Sequence, residues 1–266
     1  MLESTFIHVP GIGQRRELEL WERGFTDWDR FLRNHPPGRW RELIASRLDV
    51  ERAIQDLPKR EVWRILPNFP GRTAYLDIET EGLAIGEDLV TCIGLSDGDR
   101  TEMFVRGQNL SEFPAALRRF DLVVTYNGAC FDLPVLKNAF PAVNFDGLRH
   151  VDLRYPAHRV GLKGGLKSIE HQLGLSRADE IQGADGYLAV LLWREHGRGH
   201  PHAAETLAHY CIADVVSLKP LAAEVYNRLS RGLPLQVEPL SDVSMPVNPH
   251  RPDGELVRRL IHGEPS

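Results

Sequence analysis

A chain of 266 residues that is 42% hydrophobic and 26% charged has the balance of a globular protein, long enough for one large domain with a small appendage, and is neither disordered nor fibrous in composition. The formal net charge of −5 and a pI near 6.1 argue against gripping nucleic acid by overall basicity, a mode that shows as a domain pI above about 9. The acidity is local, however: residues 1–60 hold 11 Lys and Arg against 10 Asp and Glu, so the rest of the chain carries −6.

In chain order, apolar residues at three- and four-residue spacing predict helices over 14–23, 28–33, 39–48 and 50–56, with 60–66 extending the last. Pro67-Asn68-Phe69-Pro70-Gly71 then breaks the pattern. Strands follow at 74–78, 89–95 and 101–105, the last two joined by Ser96-Asp97-Gly98-Asp99, a hairpin turn. A helix at 111–119, a buried strand at 122–126, a helix at 133–139 and a short strand at 150–153 come next. A meander followed by alternating helices and strands predicts a mixed α/β sheet with helices on both faces. Helices at 166–173, 184–195 and 203–230 follow, and beyond Gly232 five prolines precede a short helix at 254–262, so this stretch reads as linker-like. The expected domains are a helical module over 1–66, an α/β domain over 72–231 and a Pro-rich tail over 232–266. Cys92, Cys130 and Cys211 are far apart in apolar contexts, which excludes a disulfide framework and a zinc knuckle; each reads as a buried thiol. No apolar stretch approaches the roughly 18 residues of a membrane span, and no basic start precedes an apolar run, so no membrane segment and a cytoplasmic location are expected.

The chemistry gathers in three places. Tyr75-Leu76-Asp77-Ile78-Glu79-Thr80 sets two carboxylates two apart at the end of an apolar strand, which points both to one face. Two unpaired buried carboxylates are strongly disfavoured there, so the pair calls for a cation, and hard oxygen donors suit Mg²⁺ or Mn²⁺. The plainer reading is a strand-end acid and a helix N-cap acid. Asp132 ends the run Val123 to Asp132 where a helix begins, as a further acid or as a cap. Tyr210 and Asp214 lie four apart on a helix of Ala, Val and Leu, sharing a face.

Together, Asp77-Ile78-Glu79-Thr80, Asn127-x₃-Phe131-Asp132 and Tyr210-x₃-Asp214 resemble, in order and separation, the three motifs of the DEDD superfamily of 3′ to 5′ exonucleases, in its DEDDy type. The resemblance covers about residues 73–230 and runs closest to a stand-alone bacterial branch of predicted exonucleases with a ribonuclease-H-like fold. Gly165-Leu166-Lys167-Ser168-Ile169-Glu170, Leu173-Gly174-Leu175, and Gly183-Ala184-Asp185-Gly186 followed by Trp193 add to it. It implies an α/β, ribonuclease-H-like mixed sheet flanked by helices, hydrolysing phosphodiester bonds of single-stranded DNA or RNA from a free 3′ end. It also implies two Mg²⁺ or Mn²⁺ ions about 4 Å apart, with Asp77 bridging both, Glu79 and Asp214 completing the first site and Asp132 holding the second. Two such cations bring the formal charge of −5 to about −1.

The third motif fits two spacings, since the superfamily uses either Tyr-x₃-Asp or His-x₄-Asp and both Tyr210 and His209 qualify. Helix geometry favours Tyr210: an i, i+4 pair lies within about 40° of rotation, an i, i+5 pair about 140° apart. His209 stays open as the alternative general base, because such a histidine can come from a distorted turn. A tyrosine ordinarily ionises near about 10, so orienting the water suits it better than acting as a base. Asn127 and Phe131 are substrate-side candidates, an amide for the terminal nucleotide and an aromatic for stacking, or else a turn residue and a core phenylalanine. Lys167 could meet a phosphate or lie on a solvated helix face. Near the N-terminus, Val9-Pro10-Gly11-Ile12-Gly13-Gln14-Arg15-Arg16 looks like one helix-hairpin-helix unit, in which Gly11, Gly13 and Arg15 would approach a phosphate, or else a helical cap. A structure-selective endonuclease on the same fold and a non-catalytic nucleic-acid-binding module are the competing functions.

Overall fold

The computed structural model describes residues 1–82, 90–175 and 186–262, in two compact units: Met1–Pro70 with Ala223–Ser241, and Gly71–Ala222 with Asp242–Ser266. The expected strand start at Leu89, the helix start at Ala184 and the mark at Gly183-Ala184-Asp185 lie outside the described residues.

In the first unit, α1 (Gln14–Glu22), α2 (Trp28–Asn34), α3 (Arg39–Ala45) and α4 (Val50–Asp56) follow the predicted spacing. Asp27 and Asp49 start α2 and α4 by accepting the otherwise unpaired N–H groups of Arg30 at 2.7 Å and Arg52 at 2.9 Å. The stretch 60–66 does not extend α4. Leu57, with φ −60° and ψ 130°, is held extended ahead of Pro58, and the chain restarts as a 3₁₀ stretch, Lys59–Asn68. Phe6, Trp21, Phe25, Trp28, Phe31 and Ile44 form the core, and Leu233 and Leu235 pack against it. A buried charge network crosses this unit. Arg64 grips Glu17 with two bonds of 2.9 Å and Glu61 with one of 3.0 Å, while Glu17 also accepts the Phe6 and Ile7 N–H groups at 2.8 and 3.0 Å.

The second unit is built on a five-stranded sheet of β1 (Thr73–Thr80), β2 (Val90–Ser96), β3 (Thr101–Val105), β4 (Leu122–Thr125) and β5 (Arg149–Asp152), in the order β3-β2-β1-β4-β5. The first three strands form the antiparallel meander, and β4 and β5 join β1 in parallel, which is the predicted mixed α/β arrangement. The helix expected at 111–119 is a 3₁₀ turn, Leu110–Glu112, followed by α5 (Phe113–Leu117). After it come α6 (Asp132–Ala139), an unpredicted α7 (Arg154–Arg159), α8 (Leu166–Leu173), α9 (Tyr187–Gly197), α10 (Ala203–Arg231) and α11 (Gly254–His262). One core gathers Leu76, Ile78, Ile93, Phe104, Phe113 and Leu136; another gathers Cys92, Leu192, Leu207, Cys211, Leu256 and Val257, whereas Cys130, expected as a buried thiol, is exposed in the turn before α6. The second core includes α11, so the segment after the prolines supplies buried apolar residues. No helix among the described residues is long and apolar enough to cross a membrane.

Candidate active site

The alternation of β1 sorts its side chains. Ala74, Leu76 and Ile78 enter the first of those cores, which turns Asp77 and Glu79 to the opposite face. On the neighbouring strand Asp77 stands beside Gly94 and Glu79 beside Cys92, and the register shifts by a bulge immediately after Glu79. Gly94 is the key to what covers this face. A Cβ at that position would lie 2.8 Å from Val215 Cγ2 and 3.0 Å from Cys211 Sγ, so α10 crosses β2 closer than any other residue permits. That approach brings Asp214 down to the strand, and Cys211 Sγ reaches to 3.8 Å from the Asp77 carbonyl.

Asp77, Glu79 and Asp214 each offer a carboxylate oxygen, and the three oxygens lie within 4.8 Å of one another. Burial foremost, then the charges of Asp214 and Asp132, pushes the Asp77 carboxyl well above the usual carboxylate range. Glu79 is raised well above it too, by burial first and then by Cys92 and Asp214, while the ammonium of Lys167 pulls the other way. Three crowded oxygen donors, hard and anionic, suit a divalent cation, which relieves the repulsion that otherwise favours protons. Asp132 opens α6 and is buried, with its carboxyl pushed up to about 7. Burial is the main cause, offset by hydrogen bonds from its own N–H and that of Ile78 and reinforced by Asp152 and Asp214. It is not one of the three close oxygens, yet its charge is felt at Asp77.

One turn before Asp214, Tyr210 accepts a hydrogen bond from Lys167 Nζ, which lies 4.3 Å from the ring centroid. The adjacent His209 faces elsewhere: its Nδ1 donates to the His250 carbonyl at 2.7 Å, and Asn248 donates to the His209 carbonyl at 2.9 Å. Asn127 occupies a left-handed turn with φ +68°, and its amide oxygen accepts from Arg154 at 2.5 Å. Phe131 is half-buried against the core at the mouth of α6. In the first unit, Gly11 has φ +84°, Gly13 precedes α1, and Arg15 pairs with Glu19 at 3.0 Å.

Sequence reasoning passed over Asp152. Its carboxylate accepts the N–H groups of Asn127 at 2.7 Å, Ala129 at 3.1 Å and Arg154 at 3.0 Å, and so holds the turn that leads into Asp132. The available signal was an acid at the end of a strand parallel to β4. Nothing local in the sequence of α8 shows that Lys167 meets Tyr210 rather than a phosphate or solvent.

A mixed sheet whose central strand contributes two acids to a carboxylate cluster completed by Asp214 of α10 fits the ribonuclease-H-like class. A family model for the RNase H superfamily matches residues 74–226, more than half of the chain, and the chain belongs to that superfamily. Membership supports a nuclease, since the fold family acts on nucleic acids and its nucleases use divalent metals. Among solved structures, a family B DNA polymerase from the hyperthermophilic archaeon Pyrobaculum calidifontis matches with 18% identity and a TM-score of 0.43. The match covers 59% of this chain and 28% of the polymerase, so the chain spans little more than a quarter of that protein's length. No curated protein matches.

Proposed function

We propose that the protein is a DEDDy-type 3′ to 5′ exonuclease acting on single-stranded DNA or RNA with a free 3′ end. The observation that carries this reading is the meeting of Asp77, Glu79 and Asp214, with Tyr210 one turn from Asp214 on the same helix. Asp77, Glu79 and Asp214 would hold one Mg²⁺ or Mn²⁺, and Asp132 with Asp77 a second. Bound divalent cations supply Lewis-acid stabilisation of the phosphodiester and a water that ionises near neutrality.

The chain's own groups do the rest. Lys167 Nζ donates to the Tyr210 oxygen and so fixes the phenol beside Asp214, where it would orient water or a phosphate oxygen. Asp152 fixes the turn that presents Asn127 and Phe131 to the terminal nucleotide. Gly11, Gly13 and Arg15 form a phosphate contact on the first unit.

The test is 5′-labelled single-stranded DNA and RNA incubated with Mg²⁺ or Mn²⁺. A ladder shortening from the 3′ end, abolished by EDTA, supports the reading. Opening of a circular single strand would replace it with an endonuclease. Tyr210→Phe is expected to lower kcat by about 10- to 100-fold with metal binding retained, and His209→Gln to change it little. The reverse order would transfer the water-orienting role to His209.

A further inference from the structure

The first unit carries a cavity of about 370 Å³ lined by Arg16, Glu19, Leu20, Arg23 and Trp40. Three features make it unlike an ordinary surface dent. Trp40 is 39% exposed, yet its ring is braced: His35 packs against it at a tilt with centroids 5.3 Å apart, and His35 in turn packs at a tilt on buried Phe31 at 4.7 Å. The one acid, Glu19, is paired with Arg15 at 3.0 Å, outside the lining. Arg16 is tied at 2.6 Å to the Gly11 carbonyl, and among the described residues neither Arg16 nor Arg23 has a carboxylate within 4 Å. The pocket therefore presents an indole face and the apolar Leu20 beside two cations, neither of them ion-paired to the one acid in the lining, Glu19.

We propose that this pocket is an accessory nucleotide-binding site that takes one nucleotide of a single strand, with the base stacked on Trp40 and the adjoining phosphate met by Arg16 and Arg23. An aromatic face serves any base, and guanidinium groups serve any phosphate, so the site binds without sequence preference. It accounts for how a chain with net charge −5 takes hold of a polyanion: the grip is local and stacking adds to it. The choice of ligand rests on the nuclease reading; the pocket itself does not.

The experiment measures binding alone. Full-length Asp77→Asn protein, in EDTA so that no strand is cut, is titrated into fluorescein-labelled oligo-dT and oligo-rU and followed by anisotropy across a salt series. Added Trp40→Ala is expected to weaken binding by about tenfold or more, with Trp40→Phe restoring most of it. Arg23→Ala is expected to weaken binding and lower the salt slope by about one. Unlabelled dTMP should compete only at millimolar levels. Unchanged binding in Trp40→Ala overturns the proposal, as does Trp40→Phe no better than Trp40→Ala, which would mark a folding role. Competition by dTMP at micromolar levels overturns the assignment to a strand in favour of a free nucleotide. If the wild-type chain cuts nothing while binding still depends on Trp40, the exonuclease reading falls and the pocket stands.

Discussion

Asp77 sits where three other acids act on it, and replacing it separates chemistry from stability. Asp77→Asn removes a donor from the cluster of three and is expected to lower cleavage by about a thousandfold or more. The same change should raise the melting temperature of the metal-free protein by a few degrees, because one of several crowded charges is gone. The pH dependence has a definite sign. Carboxyls whose folded values lie above their unfolded ones bind protons on folding, so they favour the fold near pH 4 and withdraw that support as pH rises, up to about 7 for Asp132. His8 and His150 run oppositely: burial lowers both, so their share of stability is lost as pH falls through about 6.5. The informative quantity is the difference between wild type and Asp77→Asn in EDTA, which should widen from pH 5.5 to 8 and narrow when Mn²⁺ is added to the wild type. A difference independent of pH and metal would remove the acidic cluster from the account. Arg64 offers the converse case. Arg64→Met leaves Glu17 buried without its cation and Glu61 with Arg60 alone at 3.7 Å, and is expected to cost about 3–5 kcal/mol in denaturant titration, far more than an exposed Arg would.

At the scale of elements, the site depends on how near one helix comes to one strand. Gly94→Val places a branched side chain where even a Cβ lies 2.8 Å from Val215, so α10 must move off β2 and carry Asp214 away from Asp77. The expected result is a folded protein whose apparent Mn²⁺ affinity falls by an order of magnitude or more, measured by calorimetry. Unaltered affinity would mean that Asp214 is not held by this contact. The same contact shows what the sequence makes legible. The alternation of β1 and the four-residue step from Tyr210 to Asp214 are local patterns, so the mixed sheet and the shared faces can be read from residue order, whereas the meeting of Asp214 with Asp77 and Glu79 follows only from the family resemblance. Gly94 resembles any strand glycine until α10 is laid across it. Asp152 and Lys167 act on residues 25 and 43 positions away in the chain, through the turn at Asn127 and through Tyr210, and no periodicity encodes those meetings. The 3₁₀ stretch Lys59–Asn68 was obscured because its apolar spacing imitates a helical turn, while Pro58 decides the break.

At the scale of the molecule, each unit is assembled from segments distant in the chain, and the second is closed by residues that composition alone makes resemble a linker. Asp242 pairs with Lys219 at 2.6 Å, and the same ammonium donates to the Gly98 carbonyl at 2.9 Å. The His250 carbonyl accepts a hydrogen bond from His209 Nδ1, Asp253 N–H donates to Thr206 Oγ1 at 3.0 Å, and Leu256 and Val257 are buried with α9 and α10. Proline-rich composition says only that 232–253 forms no regular element; it says nothing of whether the backbone is anchored, and these bonds anchor it. Removing residues 242–266 strips two buried apolar side chains, takes away the acceptor of His209 Nδ1, and removes the Asp253 N–H from Thr206 and Asp242 from Lys219. By area and hydrogen-bond loss the cost is about 4–8 kcal/mol, comparable with the whole stability of many domains. Leu256→Ala alone should cost about 2–5 kcal/mol, a graded version that keeps the chain length. Both are measured by denaturant unfolding in EDTA, with retention of the wild-type midpoint in the truncated chain as the result that would return this segment to the role of a tail. Because α10 carries His209, Tyr210 and Asp214 within six residues, loosening its first turns should reach the carboxylate cluster as well, and Leu256→Ala is expected to weaken Mn²⁺ binding although it touches no carboxylate.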